Sequence, residues 1–440
     1  MSVAPGSKRM ELKNMTSDFD VARSHEREQE GESRYRWVIV AVAAVCLAFG
    51  FGANIIISVF MTPLENEFGW LRADTSMAYA MNAIGAGAGG ILWGGLSDVI
   101  SPKRIGLFGV FALSLGLIAM RWQSELWSLY LVSVLIGAMG FACLFTPMVA
   151  LTGRWFNARK GFAIGVVTAG GALGQGAVPY VAGLIITAVG WRNAALALGL
   201  AYFVILLPLV LLLRSPPAAT LAASKAEGPN ENLWGISHRI SIPWLAFGSV
   251  FCCICMAVPL VHLVPLGLSV GCSSQTAAGL LLTAMVAGMF GRLFFGWLAD
   301  RIGGLGAYLL SCMAQAAVVF WFTQTSSIAG LFQLSFLFGF GFAGVMTCLL
   351  ICAREAAPMR ISGIAMAIVS TTAWLGMGIG SYQAGFFYDL NKNYVLSYAN
   401  AAIAGGINVL FVLALAWYRS RRKSVALRVF QPRVAAFGLK

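Results

Sequence analysis

One arginine stands apart from the other charged side chains of the sequence. Arg292 lies in an apolar run near residues 275 to 299, eight residues before Asp300. As a helix, such a run crosses ~30 Å of hydrocarbon and places Arg292 about 12 Å from the run's charged end. The other 29 Lys and Arg and all 17 Asp and Glu fall in tails, loops or helix ends. Because an Arg at that depth costs at least ~2.5 kcal/mol to insert, we expect it to face a cavity.

The chemistry of a cation at that depth is anion binding. An Arg paired with a structural acid is the alternative, but no carboxylate lies at midplane depth in any apolar run. An unpaired guanidinium is a carboxylate receptor, since its planar fork matches the two oxygens in geometry and charge. A single cation favours a monoanion, although a half-protonated dicarboxylate satisfies the same site.

Other polar side chains within the apolar runs give weaker signals. His262 is the only His in such a run. An unperturbed imidazole titrates near physiological pH, so His262 is either a proton-coupling group or a hydrogen-bonded packing residue near the outer helix end. Further candidate substrate contacts are Asn54, Gln175, Thr371 and Trp374. Polar groups in such runs also serve as hydrogen bonds between helices, so this is the alternative for each.

The elements that position these residues follow from composition. Of the 440 residues, 59% are hydrophobic and 11% charged, which requires lipid as solvent. The sequence predicts an all-α membrane protein with twelve transmembrane helices in two six-helix bundles. The predicted segments are a tail (1–36), an N-terminal bundle (37–213), a linker (214–241), a C-terminal bundle (242–418) and a basic tail (419–440).

The net charge of +13 predicts topology. With both termini cytoplasmic, 25 Lys and Arg lie on the inside and four on the outside, as the positive-inside rule requires. We therefore expect an integral protein of a bacterial cytoplasmic membrane, and no nucleic-acid partner. The sequence shows no nucleotide-binding loop or catalytic triad, so we expect neither an enzyme nor a cofactor. The Gly85-x-Gly87-x-x-Gly90 pattern lies inside an apolar run and indicates close helix contact.

The two halves repeat each other at an offset near 202. The segment 94–98 (GGLSD) matches 296–300 (GWLAD), and 161–164 (GFAI) matches 363–366 (GIAM). A repeat with a polar linker between its copies is typical of alternating-access transporters. The position that corresponds to Arg292 in the first half is Gly90, so only the second half carries the cation.

The first of these repeated segments resembles the loop motif of the major facilitator superfamily. Segments 60–72 (FMTPLENEFGWLR), 154–161 (RWFNARKG) and 291–296 (GRLFFG) resemble the monocarboxylate-transporter-like branch. The resemblance implies that Arg292 holds a substrate carboxylate, and it implies a cytoplasmic latch between helix ends. The residues that match the latch or lie in its basic clusters are Asp98, Lys103, Arg104, Asp300 and Arg301.

Two departures from the family's patterns narrow the expected function. Related oxalate exchangers use a Lys of helix 11, but residues 361–387 contain no Lys or Arg, which again favours a monoanion. Animal members carry an Asp one turn before the Arg, where this sequence has Gly288. We expect a monomeric secondary transporter of a small organic monocarboxylate, coupled to protons. Carboxylate exchange, as in oxalate/formate antiporters, is the alternative.

Overall fold

The structure is a computed structural model that describes residues 34–97, 99–156, 160–216, 234–358 and 361–436, with side chains except for residues 160 and 422–436. Twelve long helices account for most of these residues, and no strand occurs among them. The helices are α1 Arg34–Phe68, α2 Arg72–Leu96, α3 Pro102–Trp122, α4 Leu126–Trp155, α5 Lys160–Val189, α6 Trp191–Leu211, α7 His238–Ser269, α8 Ser274–Ile302, α9 Gly304–Thr323, α10 Ile328–Glu355, α11 Ser362–Asn391 and α12 Val395–Ala436.

Eleven of these helices are long and apolar enough to cross a membrane. The twelfth, α2, is 25 residues long but rich in Ala and Gly, which lowers its hydropathy. The predicted all-helical fold is confirmed. Helix α7 begins at His238, four residues before the predicted start of the C-terminal bundle at residue 242.

Two helix junctions are single-residue corners. Gly190 joins α5 to α6 with φ 79°, and Gly303 joins α8 to α9 with φ 85°; in both, ψ is near 160°. This backbone region is open to Gly and strongly disfavoured for residues with a Cβ. The two glycines therefore allow the chain to reverse direction sharply at a single residue, without a longer loop.

The sequence repeat is also a repeat of helix packing. A Cβ added to Gly89 of α2 would lie 2.4 Å from the carbonyl oxygen of Ala138, and one added to Gly291 of α8 would lie 2.2 Å from that of Phe340. Gly291 follows Gly89 by 202 positions, and Phe340 follows Ala138 by the same number. The same offset relates the contact of Gly174 with Ala48 to that of Gly376 with Val250. The glycines thus allow backbones to touch, as predicted for the G-x-G-x-x-G segment, where Gly85 meets the Val134 carbonyl oxygen.

The N-terminal half (α1–α6) and the C-terminal half (α7–α12) meet mainly along two seams, α2 with α11 and α5 with α8. We call the end of the molecule with the α1–α2 turn the loop end, and the end where α1 begins the terminal end. At the loop end a Cβ on Gly385 of α11 would lie 2.6 Å from the Arg72 carbonyl oxygen. At the terminal end a Cβ on Gly161, Gly165 or Gly363 would meet none of the described atoms within 4 Å. The contacts are therefore tightest at the loop end.

A carboxylate from one half caps a helix of the other at the loop end. Asp389 of α11 accepts hydrogen bonds from the backbone N–H groups of Arg72 (3.1 Å) and Ala73 (2.7 Å), the first two residues of α2. The guanidinium of Arg72 binds Glu65 of α1 and donates to the hydroxyl of Tyr394 in the α11–α12 turn at 2.6 Å. Unpaired N–H groups at a helix start favour an anion, so this contact stabilises the closed seam.

The segment between the halves is anchored at both ends. At its start, the Trp155 indole donates to the Arg214 carbonyl oxygen at 3.2 Å, and the Arg214 guanidinium lies 4.4 Å from the centre of the Tyr35 ring. At its end, the Trp234 side chain is buried and donates to Glu355 of α10 at 2.9 Å. The start of the segment is therefore bound to the N-terminal half, and its end is bound to the C-terminal half.

Candidate functional site

A cavity of about 860 Å³, including the open space at its mouth, lies between the two halves. Four helices of each half line it, α1, α2, α4 and α5 on one side and α7, α8, α10 and α11 on the other. Ten of its seventeen lining residues are Phe, Tyr, Trp, Met or Leu. The lining residues are Phe51, Asn54, Tyr79, Phe145, Thr168, Gln175, Met256, Leu260, Arg292, Phe342, Met346, Thr347, Leu350, Ser370, Ala373, Trp374 and Met377.

Arg292 is the only charged residue among those lining residues. Its guanidinium donates to the main-chain carbonyl oxygen of Thr168 on α5, so the residue bridges the two halves. The preceding residue, Gly291, packs directly on the backbone of α10. Consecutive helical residues point about 100° apart, so this contact turns Arg292 away from α10 and toward the cavity.

The Thr168 carbonyl is a neutral partner that leaves the charge of Arg292 uncompensated. A guanidinium has five N–H donors, and the bond to Thr168 uses one of its nitrogens. The lining residues include no Asp or Glu. In a surrounding of low polarity, a cation without a counter-ion attracts an anion more strongly than it would in water. The arrangement therefore suits one carboxylate with its two oxygens on the guanidinium.

The structure brings Arg292 together with three of the four other predicted substrate contacts. Asn54, Gln175 and Trp374 line the cavity, and the Asn54 amide also donates to Asn82 of α2. Thr371 is not a lining residue. Its methyl carbon lies 3.8 Å from where a Cβ of Gly87 would be, which places it at the α2–α11 seam.

His262 lies beyond the cavity, fully buried at the loop end. Its Nε2 is 3.0 Å from the Ser381 carbonyl oxygen, and its Nδ1 is 3.3 Å from the Tyr394 hydroxyl. A carbonyl only accepts, so Nε2 carries the proton, and the Tyr394 hydroxyl, which accepts from Arg72, donates to Nδ1. Burial raises the pKa of the Tyr394 phenol, which keeps this donor protonated. The network accommodates a neutral imidazole and fits the packing interpretation of His262.

The described residues of the predicted latch lie outside the cavity lining, at the terminal end. Asp98 lies outside the described residues. Lys103 and Arg104 are in the first turn of α3, and Asp300 is exposed in the last turn of α8. The Arg301 guanidinium lies 4.8 Å from the centre of the Trp297 ring. The latch stays a prediction.

Two features of the site have weak sequence signals. Tyr79 of α2 is fully buried at the cavity, and its hydroxyl has no hydrogen-bond partner among the described residues. A hydroxyl inside an apolar helix could have been singled out, but aromatic residues are common there. The Thr168 carbonyl carries no side-chain signal, since every residue has one.

Comparisons with known proteins agree with this architecture. The sequence profile of the Major Facilitator Superfamily matches residues 40–381. The chain belongs to the Major Facilitator Superfamily. It is therefore an integral membrane transporter and not an enzyme, and its relatives include monocarboxylate transporters.

Individual relatives are distant. Monocarboxylate transporter 13 of Bos taurus is 24% identical, over 80% of this chain and 82% of its own length. MFS-type transporter 1 of an Ophiocordyceps species is 25% identical over 65% of this chain, and the match spans 63% of that protein. Among solved structures, the xylose transporter XylE of E. coli in a partially occluded inward open conformation superposes with a TM-score of 0.70. The identity is 15%, over 87% of this chain and 98% of XylE, so this likeness establishes the fold alone.

Proposed function

We propose that this protein is a secondary transporter that moves a small organic monocarboxylate by alternating access, with Arg292 as the carboxylate receptor. The observation that carries the proposal is the position of Arg292, the single charge of a largely apolar cavity between two repeated halves. A cation so placed is costly unless an anion uses it. The monocarboxylate transporters among the relatives support the same substrate class.

Binding at Arg292 would change a contact between the halves. In the structure its guanidinium holds the Thr168 carbonyl across the α5–α8 seam. A carboxylate is a stronger acceptor because it carries charge, and it offers two oxygens. Substrate would therefore displace the carbonyl and loosen this link, which ties occupancy of the site to movement of the halves.

The proposed orientation places both termini in the cytoplasm. It rests on the excess of Lys and Arg in the two tails and in the loops at the terminal end of the molecule. In this orientation the closed loop end faces outward. The cavity would then release or accept substrate on the cytoplasmic side in the conformation described above.

Proton symport is the proposed coupling, and carboxylate exchange is the second candidate. His262 would be the titrating group of a symporter, opened to water when the loop end separates. Exchange is favoured by the cavity itself, because its lining residues include no Asp, Glu or His to carry a proton when the site is empty. Uptake driven by an imposed pH gradient supports symport. Uptake that needs preloaded unlabelled substrate and ignores the pH gradient supports exchange.

The receptor role is tested with Arg292→Gln and Arg292→Lys in proteoliposomes. We expect Arg292→Gln to abolish carboxylate transport, and Arg292→Lys to lose most of it because an ammonium lacks the planar fork. Leu293→Ala is the matched control, since Leu293 is the next residue of α8, is 49% exposed and is not among the lining residues of the cavity. It should insert and transport normally. Normal transport rates in Arg292→Gln would refute the proposal.

A further inference from the structure

The repeat makes it possible to compare the two walls of the cavity residue by residue. Positions 202 apart occupy equivalent places in the two halves, as the glycine contacts of α2 with α4 and α8 with α10 demonstrate. Thr168 and Ser370 form such a pair, and so do Gln175 and Met377. All four line the cavity. Each residue at the α5–α8 seam therefore has a counterpart at the α2–α11 seam.

The α5–α8 wall is polar. It carries the Arg292 guanidinium, the Thr168 carbonyl that this guanidinium binds, and the Gln175 side chain. We call these three residues the polar wall. Their counterparts at the other seam are Gly90, Ser370 and Met377, so the charge and the amide have both been replaced.

The α2–α11 wall carries no charge and no amide, and it contributes the rings of Tyr79 and Trp374 to the cavity. Trp374 lines the cavity, whereas its counterpart in the first half is Ala172. The Trp374 ring packs edge to face on Phe141 at 5.4 Å, and Phe141 stacks at 5.4 Å on the lining residue Phe145. A Cβ on Gly87 of α2 would lie 3.4 Å from the Trp374 Cβ, so the glycine leaves room for the bulk of this wall. We call Trp374 and Met377 of α11, together with Phe145 of the neighbouring helix α4, the aromatic wall.

We propose that the substrate is a monocarboxylate with an aromatic body and no second charge. This proposal rests on the proposed function for the carboxylate at Arg292 and adds the identity of the rest of the molecule. The carboxylate binds the polar wall, and the ring lies against the aromatic wall. Ring–ring contacts in edge-to-face or offset geometry add to the burial of apolar surface, so an aryl acid gains more than a short hydroxy acid.

The same walls exclude related compounds. An aromatic amino acid carries an ammonium group, and the described lining residues offer it no carboxylate. Desolvating that ammonium without a partner is unfavourable. A short hydroxy acid such as lactate reaches Arg292 but makes no contact with the aromatic wall. The expected order of affinity is aryl acid, then short acid, then aromatic amino acid.

The test uses the full-length protein in proteoliposomes with four compounds. These are 3-phenylpropionate, lactate, phenylalanine and the uncharged 3-phenylpropanol, each measured as substrate or competitor. We expect half-saturation for phenylpropionate at a concentration at least tenfold below that for lactate, and little competition from the other two. Trp374→Ala, which installs the residue of the first half, should reduce the preference for phenylpropionate over lactate about tenfold.

Leu375→Ala is the control variant, because Leu375 follows Trp374 on α11 and is 46% exposed away from the cavity. It should leave the preference unchanged. If Trp374→Ala fails to insert, Met377→Gln provides the second readout. This variant gives position 377 the side chain of its counterpart Gln175, so an amide replaces an apolar group of the aromatic wall. The preference should then shift toward lactate.

The outcomes separate the two proposals. Equal affinity for lactate and phenylpropionate, or an equal loss of both in Trp374→Ala, overturns the aromatic substrate class, while loss of all transport in Arg292→Gln leaves the carboxylate receptor standing. Competition by phenylpropanol that matches phenylpropionate and survives Arg292→Gln overturns the carboxylate receptor itself. Strong competition by phenylalanine contradicts the exclusion of a second charge.

Discussion

The carboxylate of Asp389 gives the sharpest test of how the loop end is closed. It reaches from α11 to the first two backbone N–H groups of α2, so one side chain joins the halves through two charge-assisted hydrogen bonds. We predict that Asp389→Asn opens the loop end more often. An amide presents one acceptor oxygen and no charge to the same two donors, so at least one of them loses its partner.

The size of the effect follows from these two contacts. Hydrogen bonds to charged groups contribute about 1.5–3 kcal/mol, and an anion at a helix N-terminus adds about 0.3–1 kcal/mol. Asparagine retains part of this, so we expect the closed state to lose about 1–2 kcal/mol relative to the open one. At 25 °C that is a population shift of roughly 5- to 30-fold.

Labelling of an introduced cysteine measures this population. Ser381 is fully buried at the same seam, and all nine native cysteines are buried, so Ser381→Cys provides a reporter with low background. Its rate of reaction with a membrane-impermeant maleimide in the Asp389→Asn background should rise at least fivefold. A rate within twofold of the parent would refute the capping argument.

A neighbouring carboxylate supplies the matched control. Asp74 accepts a hydrogen bond from the backbone N–H of Leu71 at the start of the same helix, but entirely within the N-terminal half. Asp74→Asn changes the charge near the α2 start by the same amount without touching the other half. It should leave the labelling of Ser381→Cys unchanged. An increase as large as that of Asp389→Asn would mean that the charge, and not the bridge, controls opening.

Two further predictions concern stability in detergent. Tyr79→Phe removes a buried hydroxyl without a partner among the described residues and should raise the free energy of unfolding by about 1 kcal/mol, seen as a higher midpoint of thermal unfolding; a lower midpoint would mean that the hydroxyl has a partner. Gly174→Ala places a Cβ 2.0 Å from the Ala48 carbonyl oxygen and should cost at least about 1–3 kcal/mol in the free energy of unfolding. Gly161→Ala adds a Cβ that meets none of the described atoms within 4 Å and should be neutral, so equal midpoints for the two variants would contradict the packing of α1 on α5.

The position of Arg292 could be predicted because charge in hydrocarbon is expensive. The same cost confines the other cations to tails and loops, so a list of charges is also a map of membrane boundaries. The repeat could be read at an offset of 202 because close helix contacts need glycine at fixed places, as at Gly89 and Gly291. Both the isolated charge and the repeated glycines are visible within short stretches of sequence, so they predict the depth of Arg292 and the repeat directly.

The remaining features of the site depend on contacts between distant segments. Thr371 and Trp374 lie one turn apart on α11 and both lie near Gly87 of α2, yet only Trp374 lines the cavity. A small rotation of the helix decides between these outcomes, and the hydrophobic pattern does not fix it. The partners of His262 come from α11 and from the α11–α12 turn, more than 100 residues away, so its sequence neighbours carried no information about its hydrogen bonds.

The two anchors of the connecting segment have a mechanical consequence. Arg214 is fastened to the first half and Trp234 to the second, and a chain of about 20 residues can extend over roughly 66–72 Å. Such a tether has a maximum reach that is long compared with the width of a helix bundle, so its length sets no limit on the rocking of the halves. A cut anywhere between the anchors would leave both intact, and the two halves would then be joined only by the seams. Co-expressed as separate polypeptides, they should reassemble, with the tether acting to raise their local concentration rather than to steer their motion.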